Sequence, residues 1–125
     1  MKTEDLEYNS FEECPNGMDM FIILDKSDKN FDKEYKDNLE IIESCGYKES
    51  NSNGYEATKK YTKEITTTNK DHKICIGHNI YLYENNEEIK ITIFKANGTY
   101  AISKEVGKKI FDYNFKNMKE EREVE

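Results

Sequence analysis

Glu88-Ile89-Lys90 is the first stretch of this chain whose residue types and spacing permit chemistry. A carboxylate two positions before a lysine, both on one face of a strand, is how metal-dependent nucleases hold a divalent cation beside a phosphate. Such a site needs an Asp on the neighbouring strand, close to the Glu. If Ile74 to Phe94 is a hairpin turning at Asn85-Asn86, the opposing strand brings Tyr81 and Tyr83 there instead. The nearest upstream Asp is then Asp71, tens of ångströms away at about 3.3 Å per residue. The spacing therefore reads as chance. A metal-dependent nuclease or hydrolase using Glu88, Lys90 and His78 stands only as the alternative reading.

His72, Cys75 and His78 are the other candidate ligands, with Cys14 and Cys45 distant in sequence. Zinc needs four converging nitrogen and sulfur ligands. In an extended strand Cys75 points away from the two histidines, and no C-x-x-C pair supports a site. No nucleophile triad, phosphate loop or glycine-rich motif is present. No catalytic residue, metal or cofactor is expected.

What remains is charge and aromatic surface. From Thr3 to Asp25 there are seven acids and no Lys or Arg. Net charge is −6 over residues 1–25, +2 over 26–119 and −3 over 120–125, together the overall −7. Carboxylate arrays can stand in for phosphates against a basic surface, so Glu4, Asp5, Glu7, Glu12, Glu13, Glu120, Glu121 and Glu123 are candidate partner-binding acids. The same balance argues against direct nucleic-acid binding, which needs positive surface. Lysine outnumbers arginine 18 to 1, so a local lysine strip carries little weight.

Apolar candidates come from two places. On the last helix Val106, Ile110 and Tyr113 make one stripe, and Phe111, Phe115 and Met118 a second, about 120–180° round the axis. That second stripe is either buried or offered to a partner or a second copy. Tyr81, Tyr83 and Phe94 fall on the sheet face opposite Ile80, Leu82 and Ile91, where tyrosine brings contact area at low entropy cost.

The elements that position these residues follow from periodicity. Residues 4–14 hold a short helical segment, and Pro15-Asn16-Gly17 a turn. The continuous run Met20 to Leu24 reads as a central strand covered on both faces. Phe31, Tyr35, Leu39, Ile42 and Cys45 share one face of a helix that Gly46 ends. Lys48 to Gly54 reads as a polar loop, and Tyr55 to Thr66 as a half-exposed edge strand. In the 74–94 hairpin, a turn at Asn85-Asn86 sets Leu82 against Ile89, Ile80 against Ile91 and His78 against Ile93. Thr99 to Ile102 reads as a short last strand, and Ser103 caps a helix over 104–121.

The expectation is one α+β domain over 1–125. An antiparallel sheet of four to five strands carries two main helices on one face, in the order β-α-β-β-β-(β)-α. Residues 1–17 form an acidic segment and 120–125 an acidic tail. The N-terminus lacks an apolar signal region and no apolar run approaches the roughly 20 residues of a membrane span, so a cytoplasmic setting without membrane contact is expected. The functional expectation is a small non-catalytic interaction protein that binds a basic protein surface. By analogy with proteins that phages and mobile elements direct against host defences, it would inhibit a nucleic-acid-binding effector. A homodimer closing on the last helix is the further alternative.

Overall fold

The computed structural model describes residues 10–15, 17–51, 56–95 and 102–124, without the side chains of 67, 69 and 118–124. Five strands, β1 (Asp19–Asp25), β2 (Lys48–Ser50), β3 (Lys59–Asn69), β4 (His72–Glu84) and β5 (Glu88–Phe94), form one antiparallel sheet. Their spatial order is β1-β5-β4-β3-β2. Helix α1 (Phe31–Ser44) follows β1, and α2 (Lys104–Val124) ends the described chain. The α+β class and the two helices match the sequence expectation. β2 is an additional strand inside the stretch read as a polar loop; the optional strand was read over Thr99 to Ile102, of which residues 99–101 lie outside the described residues and Ile102 lies in a turn. Among the described residues no helix is long and apolar enough to cross a membrane.

Both helices pack on one face, so alternate strand residues meet different fates. Met20, Ile22, Leu24, Tyr61, Ile80, Leu82, Ile89, Ile91 and Ile93 are buried against Ile42, Val106, Ile110 and Phe111. β1 was expected to be central, but its only described neighbour is β5 and it forms the sheet edge. Its apolar run is continuous because Phe21 and Ile23 sit on the face that no described helix covers.

The 4–5 hairpin keeps the expected face for every residue but not the expected partners. Ile80 opposes Ile93 and Leu82 opposes Ile91, a shift of two residues. Asn85 explains the shift. Its Oδ1 accepts from the backbone N–H of both Glu87 and Glu88, at 2.8 and 2.9 Å, while its own N–H donates to Glu88 O. The turn is thereby centred on Asn86-Glu87. A two-residue slip preserves alternation, so face sorting alone cannot detect it.

β3 and β4 form a long hairpin closed by Lys70 and Asp71, whose φ values of 48° and 69° fit a primed two-residue turn. β3 is flanked by β2 only at Lys60–Thr62, so its edge character is confined to the rest of its length.

On α1 the buried residues are Glu34, Asn38 and Ile42, with Phe31, Tyr35 and Leu39 partly buried beside them. Asn38 and Asn114 of α2 exchange hydrogen bonds. Asn114 Nδ2 donates to Asn38 Oδ1 at 2.7 Å, and Asn38 Nδ2 donates to Asn114 Oδ1 at 3.2 Å. Each amide also donates to the carbonyl one turn back, Glu34 O and Ile110 O. Nearby, Tyr113 Oη donates to Asp37 Oδ2 at 2.6 Å, and Lys33 Nζ donates to the same oxygen at 2.7 Å.

The segment before β1 is a 3-10 turn, Phe11–Glu13, capped by Ser10. Lys95 holds it: its Nζ donates to Phe11 O, Glu12 O and Cys14 O at 2.7–3.3 Å and lies 4.6 Å from the centre of the Phe11 ring. The buried Phe11 ring lies against Gly107 of α2, where an added Cβ would come within 2.4 Å of it. Ala is ordinarily a better helix former than Gly by about 1 kcal/mol. At this position Gly107→Ala is expected to lower stability by about 1–3 kcal/mol through overpacking. Phe11→Leu in the same chain should recover part of the loss. Urea unfolding midpoints of the three variants check this.

Candidate functional site

One face of the sheet carries no described helix, and the strand registers arrange its side chains in rows. Tyr83, Lys90 and Ile23 form one row across β4, β5 and β1. Lys60, Tyr81, Thr92 and Phe21 form the next. Phe94 and Asp19 follow. Phe21 and Phe94 are 44% and 45% exposed, among the most exposed large apolar side chains of the described residues. Clustered exposed apolar side chains of this kind mark interaction surfaces.

Lys90 organises the patch. Its Nζ lies 5.2 Å from the Phe21 ring centre and 5.3 Å from that of Tyr83. One cation attracted to two ring faces, at about 0.5–1 kcal/mol each for exposed sites, fixes both rings. Tyr81 is held from below: Ser50 Oγ lies 3.0 Å from Thr62 Oγ1, which donates to Asn79 Oδ1, and Asn79 Nδ2 donates to Tyr81 Oη. In the centre of the patch Thr92 Oγ1 is buried with no hydrogen-bond partner among the described residues. Such an orphan costs about 1–3 kcal/mol.

At the lower end of this face the missing Asp of the Glu88-x-Lys90 spacing is present. Asp25 of β1 lies directly opposite Glu88. It escaped the sequence reading because β5 was paired only with β4. Three features weigh against a metal centre. Asp25 Oδ1 accepts from Ser27 N–H and Ser27 Oγ, at 2.9 and 2.7 Å. The Lys90 ammonium is drawn towards the aromatic rings. Among the described residues no three acid, Cys or His side chains converge on a common point.

The zinc candidates also separate. His72 and Cys75 are exposed on the hairpin arm, while Cys14 and Cys45 are buried elsewhere. His78 is buried as a structural link. Its Nε2 lies 2.8 Å from Phe94 O, a pure acceptor, so Nε2 carries the proton and Nδ1 accepts from Tyr47 Oη at 2.8 Å. Burial pushes the His78 pKa below its ordinary 6.5, against the raising effect of the Phe94 carbonyl. Burial likewise pushes the Tyr47 phenol up.

The remaining candidates distribute as follows. Tyr81 and Tyr83 are half-buried on the uncovered face, as their alternation required. Phe111 is a correction: at 2% exposure it belongs to the core and is not available to a partner. α2 has a wide apolar arc because it is buried deeply, with Phe115 half-buried and its ring stacked on Phe111 at 5.6 Å. Glu12 and Glu13 are exposed on the 3-10 turn. Glu4, Asp5 and Glu7 lie outside the described residues, as do the side chains of Met118, Glu120, Glu121 and Glu123. Sequence reasoning missed Phe21 as a surface residue, and it placed Lys90 on this face without its contacts to the Phe21 and Tyr83 rings. The signal for Phe21 was parity, since it alternates with Met20 and Ile22.

No known protein family matches this chain, and no similar curated protein or solved structure was found.

His78 sets a pH dependence of folding. Because its folded pKa is depressed, the unfolded chain takes up a proton that the folded chain refuses. The stability it contributes is complete above about pH 6.5 and is lost as pH falls towards the folded pKa. Urea midpoints are expected to fall between pH 7.5 and 5.5 in the wild type, and to fall less in His78→Gln.

Proposed function

We propose that this protein is a non-catalytic interaction protein that docks a basic protein partner on its uncovered sheet face. The observation that carries the reading is the Phe21, Tyr81, Tyr83 and Phe94 patch, in which Lys90 lies against the Phe21 and Tyr83 rings and over which there is no described element. Ordered aromatic side chains that stay exposed are poor stabilisers of the fold and good anchors for a partner. The basic character of the partner is argued from the net charge of −7 and the concentration of acid in residues 1–25. The finer reading is an inhibitor of a nucleic-acid-binding effector, since such effectors carry phosphate-binding basic surfaces that carboxylates can occupy. The anti-defence setting is analogy alone.

The test is capture from a nuclease-treated cell lysate at low and high salt, with wild type and Phe21→Ala/Phe94→Ala in parallel. A partner lost at high salt, and recovered at least tenfold less by the double variant, is the expected outcome. A partner retained equally by both proteins would move the docking surface elsewhere.

The pairing of Asp25 with Glu88 favours a second reading, a metal-dependent nuclease or hydrolase. It requires cleavage in Mg²⁺ or Mn²⁺ that Glu88→Ala abolishes; cleavage unchanged in that variant, or absent with both metals, removes it.

A further inference from the structure

The two edges of the sheet are built differently. On one side β2 is three residues long and begins with Lys48, and the stretch of β3 beyond it runs through Lys63, Glu64 and threonines. Short, charged edge strands resist further pairing. On the other side β1 is seven residues, with five consecutive apolar residues and no lysine. Among the described residues nothing pairs with its outer side.

The backbone of β1 is oriented for pairing. Lys26 N–H donates to Glu87 O, and Lys95 N–H donates to Met18 O. In this register the even-numbered residues of β1 bond to β5. The N–H and C=O groups of Asp19, Phe21 and Ile23 therefore point to the open edge, while their side chains lie on the uncovered face.

The edge is also acidic. Asp19 and Asp25 bracket it. A concave pocket of about 480 Å³ beside Ile23 is lined by Asp25, Glu87 and Glu88. Among the described residues the one cation lining it, Lys26, is paired with Glu84 at 2.6 Å, and Lys90, opposite Ile23, lies over the Phe21 and Tyr83 rings. A second copy is a poor occupant: antiparallel pairing centred on Ile22 sets Asp19 against Asp25 twice, and like charges directly opposite are destabilising.

We propose that β1 accepts an extended segment of a basic partner as an added antiparallel strand. In that segment two Lys or Arg residues six positions apart oppose Asp25 and Asp19, and apolar residues between them oppose Ile23 and Phe21. Main-chain bonds supply affinity and the flanking cations supply register and specificity. The proposal rests on the reading that the uncovered face docks a basic protein, and adds the mode of recognition.

The experiment measures binding of labelled peptides by fluorescence anisotropy at low salt. One contains Lys-Thr-Val-Thr-Val-Thr-Lys, the second has Glu at both flanks, and the third is the lysine peptide N-methylated at both valines. The lysine peptide is expected to bind at least tenfold more tightly than the glutamate peptide, and N-methylation should cost at least tenfold. Asp19→Lys/Glu87→Lys should remove the preference for lysine over glutamate flanks. Ile23→Pro removes an outward N–H and no bond to β5, so it should keep the wild-type circular dichroism and lose the lysine peptide. Equal binding of the plain and N-methylated peptides would mean adhesion by charge alone and overturn the proposal. So would no binding of the lysine peptide, or a wild-type dimer by light scattering. If edge pairing fails in this way while Phe21→Ala/Phe94→Ala still loses a captured partner, the face reading survives without it. Failure of both removes both.

Discussion

The hydrogen-bonded pair of Asn38 and Asn114 is the constraint on which the layer of helices depends. Both side chains are fully buried between α1 and α2. Each amide bonds to the other and to the carbonyl one turn back on its own helix. Sliding either helix by a turn would strand buried polar groups at a cost of about 1–3 kcal/mol each. The pair therefore specifies alignment more than it adds net stability, the use to which buried polar residues are also put in coiled coils. The Tyr113–Asp37–Lys33 cluster repeats the link at the helix surface, and it holds the Asp37 carboxyl below its usual range through bonds from Lys33 and Tyr113. With α1 and α2 aligned, Ile42, Val106 and Ile110 address the same sheet face. The opposite face is left to Phe21, Lys90, Tyr83 and Phe94.

A second set of contacts closes the end of this layer. Lys95, just past β5, gathers three carbonyls of the 3-10 turn and presses the Phe11 ring onto Gly107. An ammonium donating to the carbonyl end of a short helical turn is favourable by the same electrostatics as a helix C-terminus. This ties the chain before β1 to α2 and to the far end of β5, so both ends of the edge strand are anchored through their β5 side. Among the described residues nothing pairs with its outer side.

Much of the fold was legible because alternation and the 3.6-residue period report which face is buried. That logic found α1, the parity of the 4–5 hairpin and the placement of Tyr81 and Tyr83. It is silent where parity is preserved or local chemistry intervenes. The hairpin register moved by two residues because a single side chain, Asn85, bonds two backbone amides. The continuous run Met20 to Leu24 looked doubly covered, yet Phe21 and Ile23 face the uncovered side at an edge. Asn38 and Glu34 lay within the buried arc of α1, hidden by their polarity. Asp25 opposite Glu88 depended on the β1–β5 pairing, a long-range contact that no local pattern encodes. Wide apolar content on α2 read as either core or interface, and Phe111 resolved to core by depth of packing alone.

An open edge and an uncovered aromatic face meet along β1, so the central claim concerns the state of that strand in the free protein. Amide hydrogen exchange resolved residue by residue tests it most directly. The N–H groups of Met20, Ile22 and Leu24, bonded to β5, are expected to exchange slowly, and those of Phe21 and Ile23 to exchange fast, an alternation along one strand. Uniform slow exchange from Met20 to Leu24 would mean that the outer edge is already paired, and would contradict both the docking surface and the strand that is proposed to occupy it.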